Sequence, residues 1–180
     1  MLAAVANMHR SHIINRDIKL ENMLIGANLE IKMADFGFQQ ILEGKSGDNN
    51  IKTRLGTPGY MAPEILEERG GYNGIAVDVY ALGVVLFSIV TKSSPFSQIS
   101  MLNQGQQVIT QDPLYKLFVV NKSQYFQRYG ALNLSPQFQS LISLMLHPDP
   151  AMRPSIQDII NHDWLRDGVA TPDEYYNDMA

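Results

Sequence analysis

Apolar residues recur along this chain with several different spacings, and each spacing predicts a different element. Leu2, Val5, Ala6 and His9 fall at helical intervals, so the chain opens inside a helix with no capping residue ahead of it. From Ile13 to Ile31 the pattern shortens to brief apolar runs, Met23-Leu24-Ile25 and Leu29-Glu30-Ile31-Lys32-Met33, separated by Gly26-Ala27-Asn28. Two short strands joined by a turn fit that pattern. Residues 43–59 are polar, rich in Gly, Lys, Asn and Thr, and show no period. They predict a long mobile loop, a feature that in a compact domain usually has a functional reason.

The rest of the chain reads as helical. The most apolar run, Ala76 to Val90, is shorter than the ~20 residues a bilayer span needs and carries Asp78 near its start, which predicts a buried helix. Ser135-Pro136 supplies an N-cap and a first-turn proline for a helix whose one face is Phe138, Leu141, Ile142, Met145 and Leu146. Pro154 opens a further helix, with Ile156, Ile159, Ile160 and Trp164 along a stripe and an end near Asp167-Gly168. These apolar stripes are core positions. Gln98 to Gln127, with its Gln-rich middle, reads as irregular, and the acidic tail Thr171 to Ala180 as frayed. Neither an internal repeat nor an interdomain linker is visible. The fold class expected is mainly α with a short β-hairpin.

Composition narrows the function classes. The 180 residues are 45% hydrophobic and carry 14 basic against 18 acidic side chains, a formal net charge of −4. No basic surface for nucleic acid follows from that balance. The absence of cysteine excludes disulfides, cysteine-ligated metals and thiolate nucleophiles. The apolar start lacks a positively charged leader and ends at once in Asn7-Met8-His9-Arg10, so neither a secretory signal nor a membrane anchor is expected, and the location expected is cytoplasmic. His9 and His12 lie three apart, but no H-E-x-x-H occurs and no carboxylate stands at ligand spacing, which argues against zinc.

Chemistry concentrates in Asn15-Arg16-Asp17-Ile18-Lys19-Leu20-Glu21-Asn22, which packs an acid, a base and an amide into a few residues just before a strand. Asp35-Phe36-Gly37 then follows the second strand. Asn22 and Asp35 offer hard oxygens of the kind magnesium takes when phosphate oxygens complete its shell. Either motif alone is weak, because an aspartate in a loop is commonly a solvated turn former. Order and spacing strengthen both: Gly56-Thr57-Pro58-Gly59-Tyr60-Met61-Ala62-Pro63-Glu64 comes next, then Asp78-Val79-Tyr80-Ala81-Leu82-Gly83.

With these motifs in this order, the chain resembles the large C-terminal lobe of a eukaryotic protein kinase. It matches or nearly matches the family's H-R-D-x-K-x-x-N, D-F-G, A-P-E and D-x-W-S-x-G signatures, and Arg153 stands where the family keeps the arginine that pairs with the A-P-E glutamate. The resemblance covers residues 1–165, with the catalytic loop at 15–22 and the activation segment at 35–64, and leaves 166–180 as the acidic tail. Lys19 gives the loop its serine/threonine-kinase form, and within that group the chain looks most like the calcium/calmodulin-dependent branch.

The resemblance implies roles position by position. Asp17 is the implied base that accepts the substrate hydroxyl proton, Lys19 neutralises the transferring phosphoryl group, and Thr57 hydrogen-bonds the aspartate. ATP and Mg²⁺ are the implied cofactors: Asn22 and Asp35 hold the metal, Leu24 floors the adenine, and Glu21 touches the ribose or a basic substrate residue. Thr53, flanked by Lys52 and Arg54, stands at the family's phosphorylated position, where a phosphate of about two charges would face Arg16. Asp78, Glu64 and Arg153 are implied to be structural, Asp78 holding backbone amides of the catalytic loop and Glu64 pairing with Arg153.

Departures set the limits of that expectation. Asn15 replaces the histidine that in relatives stacks on the D-F-G phenylalanine and fixes the loop, which implies weakened or altered activity. Leu20 in place of proline and Tyr80-Ala81 in place of Trp-Ser are milder. No G-x-G-x-x-G occurs, Gly70-Gly71-Tyr72-Asn73-Gly74 having the wrong spacing, and no strand lysine precedes residue 17. The small N-terminal lobe is therefore expected to be absent, leaving weak ATP binding by this stretch alone and an apolar surface around Leu24 and Phe36. The reading is part of a protein serine/threonine kinase that phosphorylates protein hydroxyls. The alternative is a pseudokinase or scaffold fragment that binds proteins, against which the intact Asp17, Lys19, Asn22 and Asp35 argue.

Overall fold

The Ala76–Val90 run folds as part of helix α3, Gly74–Thr91, and the other elements are arranged around it. The computed structural model describes residues 1–27, 30–42, 51–67, 70–96 and 109–166. Asn73 caps α3 by accepting the Ala76 N–H, and nearly every side of the helix is buried. Tyr80, Val84 and Phe87 belong to one apolar cluster, whereas Val79, Leu82 and Val85 belong to another. By length and composition α3 would also suit a membrane, but 72% of it is buried within the protein. Helix α6, Pro136–Met145, packs directly on it. A Cβ added to Gly83 would stand 2.9 Å from both Leu146 Cδ2 and Met145 Cβ, so glycine sets how closely the two helices approach.

The remaining elements place loops around this body. Helix α1, Leu2–Arg10, begins without a side-chain cap, as its sequence predicts, and lies against α7, Ile156–Ile160. Strand β1, Ile13–Ile14, pairs antiparallel with β4, Gln40–Ile41. Strands β2, Met23–Ile25, and β3, Ile31–Met33, form the expected antiparallel pair with Met23 opposite Met33. Residues 15–22 thus run between β1 and β2. Helix α2, Pro63–Leu66, follows the second loop and is buried at all four residues. The outer faces of the strand pairs are apolar and open: Leu24 is 55% exposed and Ile41 69%, and Phe36, in the segment between β3 and β4, is 45% exposed. The expected surface around Leu24 and Phe36 is present.

Two sequence expectations need correction, and one strand pair is an addition to them. Part of the stretch read as irregular is helical: α4 spans Pro113–Val120 and α5 Lys122–Gln127, while 97–108 lie outside the described residues. Asp112 accepts the Leu114 and Tyr115 amides ahead of Pro113, the same cap-plus-proline start as Ser135-Pro136, hidden in the sequence by its Gln-rich approach. The helix read from Pro154 is in fact two, α7 and α8, Asp163–Arg166. It starts two residues later, behind a capping box between Ser155 and Asp158, and breaks at His162, whose Nδ1 accepts the Trp164 N–H. The β1–β4 pair was not foreseen, two-residue strands being too short to show a period. Of the loop at 43–59, residues 43–50 lie outside the described residues, as does 167–180 of the tail, while Ile51 bridges to Tyr72.

Candidate active site

The catalytic-loop candidate is pinned from beneath by the buried Asp78 of α3. Its Oδ2 accepts the Asn15 N–H at 2.9 Å and its Oδ1 the Arg16 N–H at 2.8 Å. His9 Nε2 reaches the same Oδ2 at 2.9 Å. A carboxylate only accepts, so His9 is the donor in this pair. Three donors on one carboxylate account for a charge that would otherwise be costly in an apolar helix.

Every polar atom of Asp17 is engaged, and the residue is only 5% exposed. Its N–H donates to Asn15 Oδ1 at 3.0 Å, and its carbonyl accepts from Asn22 Nδ2 at 3.0 Å. Thr57 Oγ1 donates to Oδ1 at 2.6 Å. Lys19 Nζ lies 2.7 Å from Oδ2, and Asn22 Nδ2 donates to the same oxygen at 3.3 Å. Lys19 also donates to Thr57 Oγ1 at 2.8 Å, closing a ring of acid, base and hydroxyl. Burial pushes the Asp17 carboxyl up, but hydrogen bonds from Lys19 and Thr57, the Lys19 charge and the Asn22 amide outweigh it and hold the group below the ordinary aspartate value. Asp17 is therefore an anion at neutral pH.

Thr57 reaches Asp17 because the chain turns sharply just before it. Gly56 has φ +130°, and a Cβ there would stand 3.0 Å from the Arg16 carbonyl oxygen. Only glycine brings the two loops so close without strain.

The other candidates are placed as follows. Ala34 N–H donates to the Asn22 carbonyl at 2.8 Å, which ties the backbone just before Asp35 to Asn22. Asp35 is exposed, has φ +61°, and accepts the Gly37 N–H on Oδ1 at 3.0 Å. Both hydrogen bonds of the Asn22 side chain are given by its nitrogen, so its Oδ1 faces no competing donor among the described residues. One amide oxygen and one carboxylate fit a magnesium ion that draws its other ligands from phosphates and water. Among the described residues no group of three or more His, Cys, Asp or Glu gathers to hold a metal without such help. Leu24 lies on the open face of β2. Arg16 Nη1 donates to Thr53 Oγ1 at 2.9 Å and its Nε to the Phe38 carbonyl at 2.7 Å.

Glu64, on α2, and Arg153 lie apart from this group and are buried. Arg153 Nη1 and Nη2 grip the two Glu64 oxygens at 2.7 and 2.8 Å. Sequence reasoning did not find three contacts: His9 with Asp78, Asn15 with the Asp17 amide, and Tyr60, whose hydroxyl donates to Glu21 Oε2 at 3.1 Å. A polar ring ending the apolar stripe of α1 was a usable signal for the first, since a buried histidine needs a partner. The others depend on loop paths that no pattern shows.

A helical body that holds an acid, a lysine and an asparagine on one loop, against a threonine on a second, is the architecture of a protein kinase large lobe. The chain belongs to that family: residues 1–165 match the family described as protein kinase domain. It is 36% identical to serine/threonine-protein kinase SIK2 of Gallus gallus over 166 residues, 92% of this chain and 18% of that protein. It is 31% identical to CBL-interacting serine/threonine-protein kinase 5 of Arabidopsis thaliana, covering 96% of this chain and 35% of that protein. CBL-interacting protein kinase 31 of Oryza sativa subsp. japonica is 32% identical, over 98% and 36%. The chain thus spans about a third or less of the length of these curated relatives.

Proposed function

We propose that these residues form the catalytic lobe of a protein serine/threonine kinase, in which the γ-phosphoryl group of ATP passes to a serine or threonine hydroxyl of a protein substrate. The observation that carries the reading is the convergence of Lys19, Thr57 and Asn22 on the buried Asp17 carboxylate. Two carboxylate oxygens offer about four lone-pair sites, and three donors are in place among the described residues, so room remains for a substrate hydroxyl. An aspartate held below its ordinary value is too weak a base to ionise an alcohol in the ground state. It orients the hydroxyl in line with the phosphorus and receives the proton as the new oxygen–phosphorus bond forms and the bond to the departing ADP breaks. Lys19, held by both Asp17 and Thr57, carries the positive charge that meets the phosphoryl oxygens.

Magnesium held by Asn22 Oδ1 and the Asp35 carboxylate would neutralise phosphate charge. The adenine rests on Leu24 in this proposal, and the ribose or a basic substrate residue meets Glu21. The 180 residues contain no glycine-rich phosphate loop, so the proposal assigns that cover to a small lobe seated on the open strand faces. Phosphorylation of Thr53 would strengthen a contact Arg16 already makes with its hydroxyl, tying the second loop to the residue before Asp17. A second reading, a protein-binding scaffold, draws on the exposed Leu24 and Ile41 faces.

Label transfer from γ-labelled ATP with Mg²⁺ to serine- and threonine-containing peptides, using the full-length protein, tests the proposal. Asp17→Asn is expected to lower turnover about 10²- to 10⁴-fold, and Thr53→Ala to lower the activity gained after treatment with an activating kinase. Equal turnover by the parent and Asp17→Asn, or no transfer by either alongside intact partner binding, favours the scaffold.

A further inference from the structure

One position at which this chain departs from its family, Asn15, points to a device of its own. Asn15 is 2% exposed, and its Oδ1 accepts the Asp17 N–H at 3.0 Å. We infer that Asn15 is a positioning residue for the catalytic carboxylate, holding the Asp17 peptide group directly and so making the loop's geometry independent of Phe36. The inference rests on Asp17 being the carboxylate proposed above.

The other contacts to Asp17 act on its carbonyl and its carboxylate. Asn15 acts on its N–H. The two preceding amides, of Asn15 and Arg16, are fixed on Asp78, and between them and Asp17 the backbone passes through a left-handed residue, Arg16 at φ +65°. Such a turn directs the next N–H back toward the side chain two residues earlier, where a short amide or hydroxyl oxygen can meet it. With that bond in place the peptide plane between Arg16 and Asp17 cannot rotate, and the Cα–Cβ direction that aims the carboxylate at Thr57 is set. Fixing the loop through ring stacking would need Phe36 packed beside it. Phe36 is 45% exposed, and it is in none of the aromatic pairs among the described residues.

Amide hydrogen exchange at Asp17, followed by NMR in the full-length protein, separates this role from a merely structural one. In Asn15→Ala the Asp17 amide is expected to exchange about tenfold faster, with the Arg16 amide unchanged and kcat reduced at constant KM for ATP. Asn15→Ser removes similar volume but keeps an oxygen within reach of the same N–H, so it should restore most of the protection and of kcat. Phe36→Leu should leave Asp17 exchange unchanged. Equal exchange in parent and Asn15→Ala, equal behaviour of the Ala and Ser variants, or loosening of Asp17 by Phe36→Leu would each overturn the inference. Should Asn15→Ala not fold, a folded and protected Asn15→Ser supports it and an unfolded one refutes it. Exchange is read without turnover, so a protein that transfers no phosphate still tests the hydrogen bond while failing the kinase reading.

Discussion

Replacing Glu64 by glutamine changes one oxygen for one nitrogen and leaves Arg153 buried without its counter-charge. The side chains are 5% and 0% exposed, so water does not screen the loss. Arg153 keeps other partners: Nη1 donates to the Ala76 carbonyl at 3.0 Å, Nε to that of His147 at 2.9 Å, and the guanidinium lies 4.9 Å from the Tyr80 ring centre. Removing one member of a buried pair costs about 3–5 kcal/mol. The retained contacts put Glu64→Gln near the lower end, about 3 kcal/mol. At roughly 2–4 °C per kcal/mol for a domain of this size, the thermal midpoint should fall by about 6–12 °C, read by circular dichroism on the full-length protein. A double-mutant cycle decides the cause: adding Arg153→Met removes the stranded charge and should recover at least half of the loss. A cost for Glu64→Gln under about 1 kcal/mol, below the range for buried pairs, or a double variant as unstable as the sum of the singles, would refute the reasoning.

Two further outcomes follow from the site and its support. Asp17 is held below the ordinary aspartate value, so its folding contribution is complete above that value and is lost as pH falls through the lower folded one. Thr57→Val removes one of the donors, and urea unfolding should then show a smaller loss of stability between about pH 5 and pH 3 than in the parent; equal losses would contradict the assignment. The Tyr80 hydroxyl is buried with no hydrogen-bond partner among the described residues, so Tyr80→Phe should raise stability by about 1 kcal/mol in the same assay, and a loss would mean that the hydroxyl has a partner after all.

The ordered motifs and the helix stripes were legible because they depend on residues near in sequence. Helix α6 shows this, its cap, proline and apolar face all lying within a dozen positions. The roles of Asp78, Glu64 and Arg153 were legible only through resemblance. Their partners lie 62 to 89 residues away, and no spacing rule reaches that far. Helix α4 was missed although its Asp112-Pro113 start obeys the local rule, because the residues before it carry no apolar period.

By itself the sequence determined the inventory: an acid, a lysine, two amides and a threonine in fixed order, a long apolar helix, and no cysteine. The tertiary structure decided which of these meet. Burial of Asp78 in α3 made it the anchor for three donors, and the left-handed turn at Arg16 gave Asn15 a use that its place in a motif could not reveal. The glycine at 56 let a threonine 40 residues away close on Asp17. Hydrogen bonds are directional over a few ångströms, so such partnerships exist only once packing has fixed the backbone that carries them.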